Sequence, residues 1–311
     1  MTRDIVWRGA ELFGRDGWGD ELTAEERDAL STGGDARALD GRVERIRDEL
    51  EHGAGACLLR GFAAEEPERA LRTFTARLGT PVSQSADGDT LLHVRDAGFA
   101  PSDPRFRGPY SNRRLSFHTD RCDVIAFLCV RPARAGGENH VLSSIALRKA
   151  LREHAPHHAV VLERDALPYL RHTVDEGNQR PYALVPVFTE HDGRFAGSLL
   201  RVLIDRADAS PEAPDLTDEQ RAALDALEEI AEEPRLYASF RLEAGDLLLL
   251  NNWTTFHRRT AFEDDPDPSA RRHLMRVWLS MPNSRPLDPR FEDHFGATAA
   301  GAVRGGMPAR S

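Results

Sequence analysis

The sequence has little of what marks secreted, membrane or nucleic-acid-binding proteins. Its 311 residues include three cysteines, Cys57, Cys122 and Cys129, without C-x-x-C spacing, which predicts neither a disulfide framework nor a thiolate zinc site. No apolar run approaches the ~20 residues needed to span a bilayer, and the first residues lack the apolar core of a secretory signal. The formal net charge of −10 argues against a general nucleic-acid surface. We therefore expect a cytoplasmic protein whose partner is a small molecule; the sequence indicates nothing about its oligomeric state.

No repeat and no linker divides the chain, so we predict a single domain over residues 1–311. Residues 1–80 are predicted to be an N-terminal α/β elaboration, in which Thr23-x-x-Glu26 is a capping box that opens a helix. Residues 81–116 are polar, with Gly, Pro and Ser scattered among arginines, and this composition predicts a long loop region at an active site. Residues 296–311 are small and Gly-rich, and we expect a flexible tail there.

The sequence pattern changes over residues 115–285. Short apolar runs such as "LSFHTDRCDVIAFLCV" and "YALVPVFTEHDGRFAGSLLRVLI" are separated by Gly, Asp and Pro, which predicts antiparallel strands in a sandwich or barrel. One helical insertion is expected near residues 217–232, where Thr217-x-x-Gln220 forms a second capping box. The predicted fold is mostly β with flanking helices.

Three residues suggest a metal site. His118 and Asp120 share one face if "FHTD" is a strand, and polar groups aimed into a core are unfavourable unless something binds them. A metal and a plain His–Asp hydrogen bond are the two explanations. His257 follows the late apolar run "GDLLLLNNW". Two imidazoles and one carboxylate with open positions make the facial triad of non-haem Fe(II) oxygenases, although zinc accepts the same ligands.

Two arginines lie shortly after this histidine. In "ARRHLMRVWL", Arg272 and Arg276 alternate with Leu274 and Trp278 and so share one face of a strand. A buried guanidinium needs an anionic partner. That partner is either an internal Asp or Glu, or an acidic cosubstrate near the metal, since the guanidinium fork matches a carboxylate.

In order along the chain, "FHTD", "CDVIAFLCVRPARAGGENHVLSS" and "NNWTTFHRRTAFEDDPDPSARRHLMRVWL" resemble the taurine dioxygenase-like branch of the Fe(II)/2-oxoglutarate-dependent oxygenases. The resemblance implies a double-stranded β-helix, that is, a distorted, cupin-like jelly roll, over residues 115–285. It also implies Fe(II) held by His118, Asp120 and His257, with 2-oxoglutarate and O2 as cosubstrates.

The same resemblance assigns the two arginines and one amide. It places Arg272 at the distal carboxylate of 2-oxoglutarate, and Arg276 near the substrate or the other cosubstrate carboxylate. The family's Gly-Gly-acidic-hydroxyl segment appears here as "GGEN". Asn139 therefore stands where relatives have Ser or Thr, and its amide can still donate to 2-oxoglutarate.

The implied reaction is hydroxylation, or a related desaturation or cyclisation, of a small anionic molecule such as an amino acid or a secondary metabolite, with succinate and CO2 as coproducts. Halogenating relatives lack the carboxylate that Asp120 supplies. His93, Arg95, Arg114 and Arg276 are the candidate substrate-binding residues.

Two alternatives remain at this point. One is a zinc-dependent hydrolase that uses the same three ligands; it lacks an H-E-x-x-H general base and leaves Arg272 unexplained. The other is a non-catalytic jelly-roll protein that binds a small molecule.

Overall fold

The computed structural model describes residues 5–31, 35–62, 65–99, 108–171 and 180–308. Residues 100–107 of the predicted loop region 81–116 and residues 309–311 of the predicted tail 296–311 therefore lie outside the described residues. The strands are, in chain order, β1 (Gly19–Glu21), β2 (Ala56–Arg60), β3 (Thr80–Val82), β4 (Leu91–Val94), β5 (Val124–Arg131), β6 (Ala135–Gly136), β7 (Asn139–Ser143), β8 (Ala166–Leu170), β9 (Tyr182–Pro186), β10 (Phe188–His191), β11 (Arg194–Gly197), β12 (Tyr237–Phe240), β13 (Leu247–Asn251), β14 (Thr255–Arg259), β15 (Phe262–Glu263) and β16 (His273–Ser280). The α-helices are α1 (Ala24–Ser31), α2 (Asp40–His52), α3 (Pro67–Leu78), α4 (Ser144–His154), α5 (Pro156–Arg164), α6 (Arg201–Asp208), α7 (Asp218–Ala231) and α8 (Glu292–Phe295).

Two sheets face each other at the centre of the molecule. The larger has the strand order β1-β2-β13-β5-β16-β3, with β4 also paired to β16, and the smaller has the order β12-β7-β14. Ile125, Leu250 and Trp278 from the larger sheet pack in one apolar cluster with Val141 and Ala238 from the smaller. This arrangement confirms the predicted double-stranded β-helix with flanking helices.

Strand β13 shows why "LLLLN" has no polar alternation. It lies between β2 and β5 in the larger sheet. Leu247 and Leu249 pack against the N-terminal helices, whereas Leu248 and Leu250 pack into the space between the sheets. A strand that is covered on both faces has no solvent-facing position, so its sequence is a continuous apolar run.

Both predicted capping boxes are present. Thr23 N–H donates to the Glu26 carboxylate at 2.8 Å and the Thr23 hydroxyl accepts from Glu26 N–H at 3.2 Å. Thr217 and Gln220 make the same pair of bonds, at 3.0 and 3.2 Å. Each box satisfies N–H groups that have no partner within the helix, and α7 is the helical insertion predicted near 217–232.

One predicted strand is a helix. The end of the run "GSLLRVLI" forms α6, and its buried face carries Leu203, Ile204 and Ala207. This spacing is helical, but a short apolar run does not distinguish a strand from a buried helix. No helix in the described ranges combines the length and the apolar composition that crossing a bilayer requires.

The flexible-tail prediction is wrong for residues 296–308. Arg304 is only 2% exposed, and its Nε donates to Asp123 Oδ1 at 2.6 Å. Gly306 N–H donates to the Arg121 carbonyl at 2.7 Å. The segment therefore packs against the chain between Asp120 and β5, where this buried ion pair and backbone hydrogen bonds hold it.

Candidate active site

His118, Asp120 and His257 lie close together at β14, an edge strand of the smaller sheet. One potential ligand atom from each lies within 4.8 Å of the other two. His118 and His257 form an isolated antiparallel bridge, in which each N–H donates to the other's carbonyl at 3.0 Å. The bridge sets the two imidazoles side by side, with ring centroids 4.4 Å apart.

Asp120 reaches the two histidines by a bend in the chain rather than by strand alternation. Regular strand begins only at Val124, so the strand predicted for "FHTD" is reduced to the bridge at His118. Asn252, which the sequence analysis missed, accepts the Asp120 N–H at 3.0 Å. Its amide nitrogen also lies 3.1 Å from Cys122 Sγ. Asn252 therefore fixes the bend that carries the carboxylate.

Three buried polar atoms of this cluster have no hydrogen-bond partner among the described residues. They are Asp120 Oδ2 and both ring nitrogens of His257. His257 Nε2 lies 3.5 Å from Asp120 Oδ2, which is longer than an ordinary hydrogen bond. His118 Nδ1 contacts the Ser116 carbonyl at 2.9 Å, which leaves Nε2 as the ligand atom. Two imidazoles and a carboxylate in this state fit an Fe(II) ion.

Electrostatics keep the cluster in its ligating form. Burial, with His257 alongside, lowers the pKa of His118 to about 4, so the imidazole is neutral at pH 7. Burial alone would raise the pKa of Asp120, but Arg276 and His257 hold it below its usual range. Arg276 Nη1 lies 3.5 Å from Asp120 Oδ1. The carboxylate is therefore ionised.

A cavity of about 450 Å³ opens from these residues. Arg272, Leu274, Arg276 and Trp278 all line it, which agrees with the face predicted for them, although Arg272 lies just before β16. The Nε of Arg276 donates to Gln84 Oε1 at 2.7 Å. This hydrogen bond orients the guanidinium toward Asp120. Gln84 is a second residue whose role was not predicted from the sequence.

Arg272 lacks such a partner. It is 5% exposed, and in the described part of the chain its guanidinium forms no ion pair with an acidic side chain. Its Cζ lies 4.9 Å from the centroid of the Phe262 ring. Burial lowers its pKa to about 10, so it still carries its charge at pH 7.

The remaining predicted residues divide into two groups. Asn139 and Arg114 both line the cavity, and Arg114 is paired with Glu232. His93 and Arg95 are not among the lining residues. His93 instead contacts His273 through Nδ1 and Nε2 at 2.8 Å, on the face of β16 that points away from the metal cluster. The geometry therefore gives no support to a substrate role for His93 or Arg95.

A third group of cavity-lining residues was not predicted. It consists of Tyr169, Arg171 and His294. His294 is 8% exposed, and its Nδ1 has no hydrogen-bond partner within the described ranges. Burial, with Arg121 and Arg171 nearby, lowers its pKa well below the usual value. These residues come from β8 and α8, outside the motifs around the metal cluster, so no local pattern indicated them.

A double-stranded β-helix whose cavity holds a 2-His-1-carboxylate cluster beside buried arginines defines a mononuclear metal enzyme. The family model "Taurine catabolism dioxygenase TauD, TfdA family" matches residues 23–278, and the chain belongs to this family. It is thus an Fe(II)- and 2-oxoglutarate-dependent oxygenase. The family membership removes the zinc hydrolase and the non-catalytic binding protein as alternatives.

Curated relatives agree. The chain is 33% identical over 275 residues to "FR-33289 synthase" of Streptomyces rubellomurinus, which covers 83% of this chain and 78% of that protein. It is 34% identical over 153 residues to "Uridine-5'-phosphate dioxygenase" of an Amycolatopsis species, over 48% of this chain and 52% of that protein.

Solved structures share the fold at low identity. Asparagine oxygenase in complex with Fe(II), (2S,3S)-3-hydroxyasparagine and succinate has a TM-score of 0.62 and 18% identity, over 85% of this chain and 93% of that one. The non-haem iron oxygenase OrfP with iron and α-ketoglutaric acid has a TM-score of 0.58 and 16% identity, over 92% and 99%.

Proposed function

We propose that His118, Asp120 and His257 hold the Fe(II) ion and that Arg272 binds the distal carboxylate of 2-oxoglutarate. The observation that carries the first assignment is the set of buried Asp120 and His257 atoms that have no hydrogen-bond partner in the part of the chain that the structure describes. The second is supported by the unpaired, buried guanidinium of Arg272 in the same cavity. When bound, iron and 2-oxoglutarate supply the oxygen activation that no side chain of the chain can provide.

The chain's own residues arrange this centre and keep water out. Asn252 holds the bend at Asp120, and Gln84 orients Arg276 toward the same carboxylate. Trp278 lies under the Arg276 guanidinium, with Cζ 4.9 Å from the ring centroid. Because Asp120 is present and ionised, the proposed outcome is hydroxylation, or a related desaturation or cyclisation, and not halogenation.

We further propose that the substrate is a small anionic molecule, such as an amino acid or a secondary metabolite that carries an oxoanion. Nine arginines line the cavity against two acidic residues, Asp120 and Asp205. Several of them are paired with carboxylates, among them Arg114, Arg171 and Arg258. Arg259 and Arg272 form no ion pair among the described residues, so the cavity keeps positive charge that attracts an anion. The relative named for uridine-5'-phosphate has a phosphate-bearing substrate in its name, which supports the same class. Arg171 and His294 also line the cavity, and Arg171 contacts Asp293 Oδ1 at 2.7 Å. They are the side chains we assign to the substrate anion. The predicted cytoplasmic location stays a prediction.

A paired substrate screen tests this proposal. Amino acids and phosphate or sulfonate esters are compared with their neutral amides or alcohols, and succinate formation above the substrate-free background is measured. We expect stimulation by anionic members only, and Arg171→Gln should weaken it while the substrate-free rate stays unchanged. Equal stimulation by neutral partners would reject the anionic class and leave the oxygenase assignment intact.

A further inference from the structure

Two buried guanidiniums, not one, lie against the Phe262 ring. The Cζ atoms of Arg259 and Arg272 are 4.5 and 4.9 Å from its centroid, and both side chains line the cavity. Arg259 is 6% exposed and Arg272 5%. Across the ranges that the structure describes, neither forms an ion pair. The Asp264 carboxylate is engaged by the Arg272 backbone N–H at 2.7 Å. Two buried like charges are unfavourable unless an anion joins them.

Within the part of the chain that the structure describes, only one of the two terminal guanidinium nitrogens of Arg259 forms a hydrogen bond. Its Nη2 donates to the Arg113 carbonyl at 2.6 Å. Its Nη1 is buried and has no acceptor among the described residues. A purely structural arginine would leave this charged donor unsatisfied, which is costly. The unused donor therefore calls for an acceptor beyond the described residues, and the cavity that Arg259 lines gives a bound anion access to it.

Strand register places Arg259 beside Asn139, near the proposed binding site of 2-oxoglutarate. In the antiparallel pair β14–β7, His257 lies opposite Val141, and Arg259 lies opposite Asn139. Directly opposed residues point to the same face, with Cβ atoms about 4.5–5.5 Å apart. Arg259 is thus two residues from His257 on the same face of β14. It lies beside Asn139, the residue that replaces the hydroxyl residue of the relatives. Arg272 lies near the same place, since a Cβ atom built on Gly137, two residues before Asn139, would be 3.8 Å from its Nε.

We propose that Arg259 and Arg272 together bind the distal carboxylate of 2-oxoglutarate. Arg259 supplies the second charged donor where the family uses the hydroxyl that Asn139 lacks. The inference rests on the proposed role of Arg272 and on 2-oxoglutarate dependence, and it is independent of the substrate class.

The test compares two 2-oxoacids. 2-Oxoglutarate and 2-oxopentanoate, which lacks the distal carboxylate, are titrated calorimetrically into Mn(II)-loaded protein without turnover. Wild type, Arg259→Ala, Arg259→Lys and Arg134→Ala are used; Arg134 is exposed and pairs with Glu263, which makes it the matched control. We expect Arg259→Ala to bind 2-oxoglutarate about 10- to 100-fold more weakly, as for the loss of a charge-assisted hydrogen bond. Binding of 2-oxopentanoate should change less than about threefold, and Arg259→Lys should recover part of the loss.

The ligand pair distinguishes the possible failures. An equal loss for both 2-oxoacids in Arg259→Ala would mean that the residue acts through the fold, and unchanged binding of both would mean that it only holds Arg113; either overturns the proposal. If the alanine variant does not fold, Arg259→Lys decides by the same comparison. If wild-type protein discriminates poorly between the two acids, the Arg272 assignment fails as well, whereas failure at Arg259 alone leaves it standing.

Discussion

Replacing Arg304 with methionine should destabilise the protein, because Arg304 neutralises a carboxylate buried beneath the metal site. Its guanidinium donates to Asp123 Oδ1 at 2.6 Å and to the Arg285 carbonyl at 2.9 Å. Methionine fills much of the space but offers no donor. Asp123 keeps two close donors, the Met281 N–H and the Trp253 indole, both at 2.8 Å.

The expected magnitude follows from these contacts. Removing one partner of a buried ion pair costs about 3–5 kcal/mol, and the two remaining donors place Arg304→Met near the lower end. In a large domain about 1 kcal/mol shifts Tm by roughly 2–4 °C, so Tm should fall by about 6–12 °C. Differential scanning calorimetry of the metal-free protein measures this, with Arg290→Met as control. Arg290 is more exposed and pairs with Asp288, and such pairs contribute about 1 kcal/mol or less. A shift no larger than that of the control would refute the packing described for residues 296–308.

Three further predictions concern the site and the pH dependence. His118→Ala and His257→Ala should lose iron, measured by elemental analysis, while the metal-free Tm changes by only a few degrees. Arg272→Ala should cost about 2–5 kcal/mol of 2-oxoglutarate binding, raising the apparent constant in succinate assays tens to thousands of fold; Arg272→Lys should restore part of it. Burial and nearby arginines lower the pKa of His140 and of His273 to about 4. Because the unfolded chain takes up these protons below about pH 6.5, stability should be full above that pH and decrease toward pH 4. The urea midpoint of the wild-type protein should fall in this way with decreasing pH. It should fall less in the variant that combines His140→Gln and His273→Gln.

Local spacing made much of the site predictable. The order of His118, Asp120 and His257, and the alternation around Arg272, are properties of short segments, and the larger fold follows once those segments are recognised. The same alternation in "FHRR" places Arg259 on the face of His257. It was missed because adjacent arginines also occur on solvated surfaces.

Partners distant in the chain could not be predicted. Gln84 and Arg276 are 192 residues apart, and Asp123 and Arg304 are 181 residues apart, so no local pattern links either pair. The position of His93 in the sequence also gave no indication of which face of the sheet it occupies. That face is decided by the pairing of β4 with β16, in which His93 lies opposite Met275.

The most direct test of the central claim is an anaerobic titration of the metal-free protein with Fe(II) and 2-oxoglutarate, followed by visible absorption. The account predicts a weak charge-transfer band that needs both additions, saturates at one equivalent of iron, and is absent from His257→Ala and from protein loaded with Zn(II). Admission of oxygen should then convert 2-oxoglutarate to succinate. Iron binding without any response to 2-oxoglutarate, or a band that survives in His257→Ala, would contradict it.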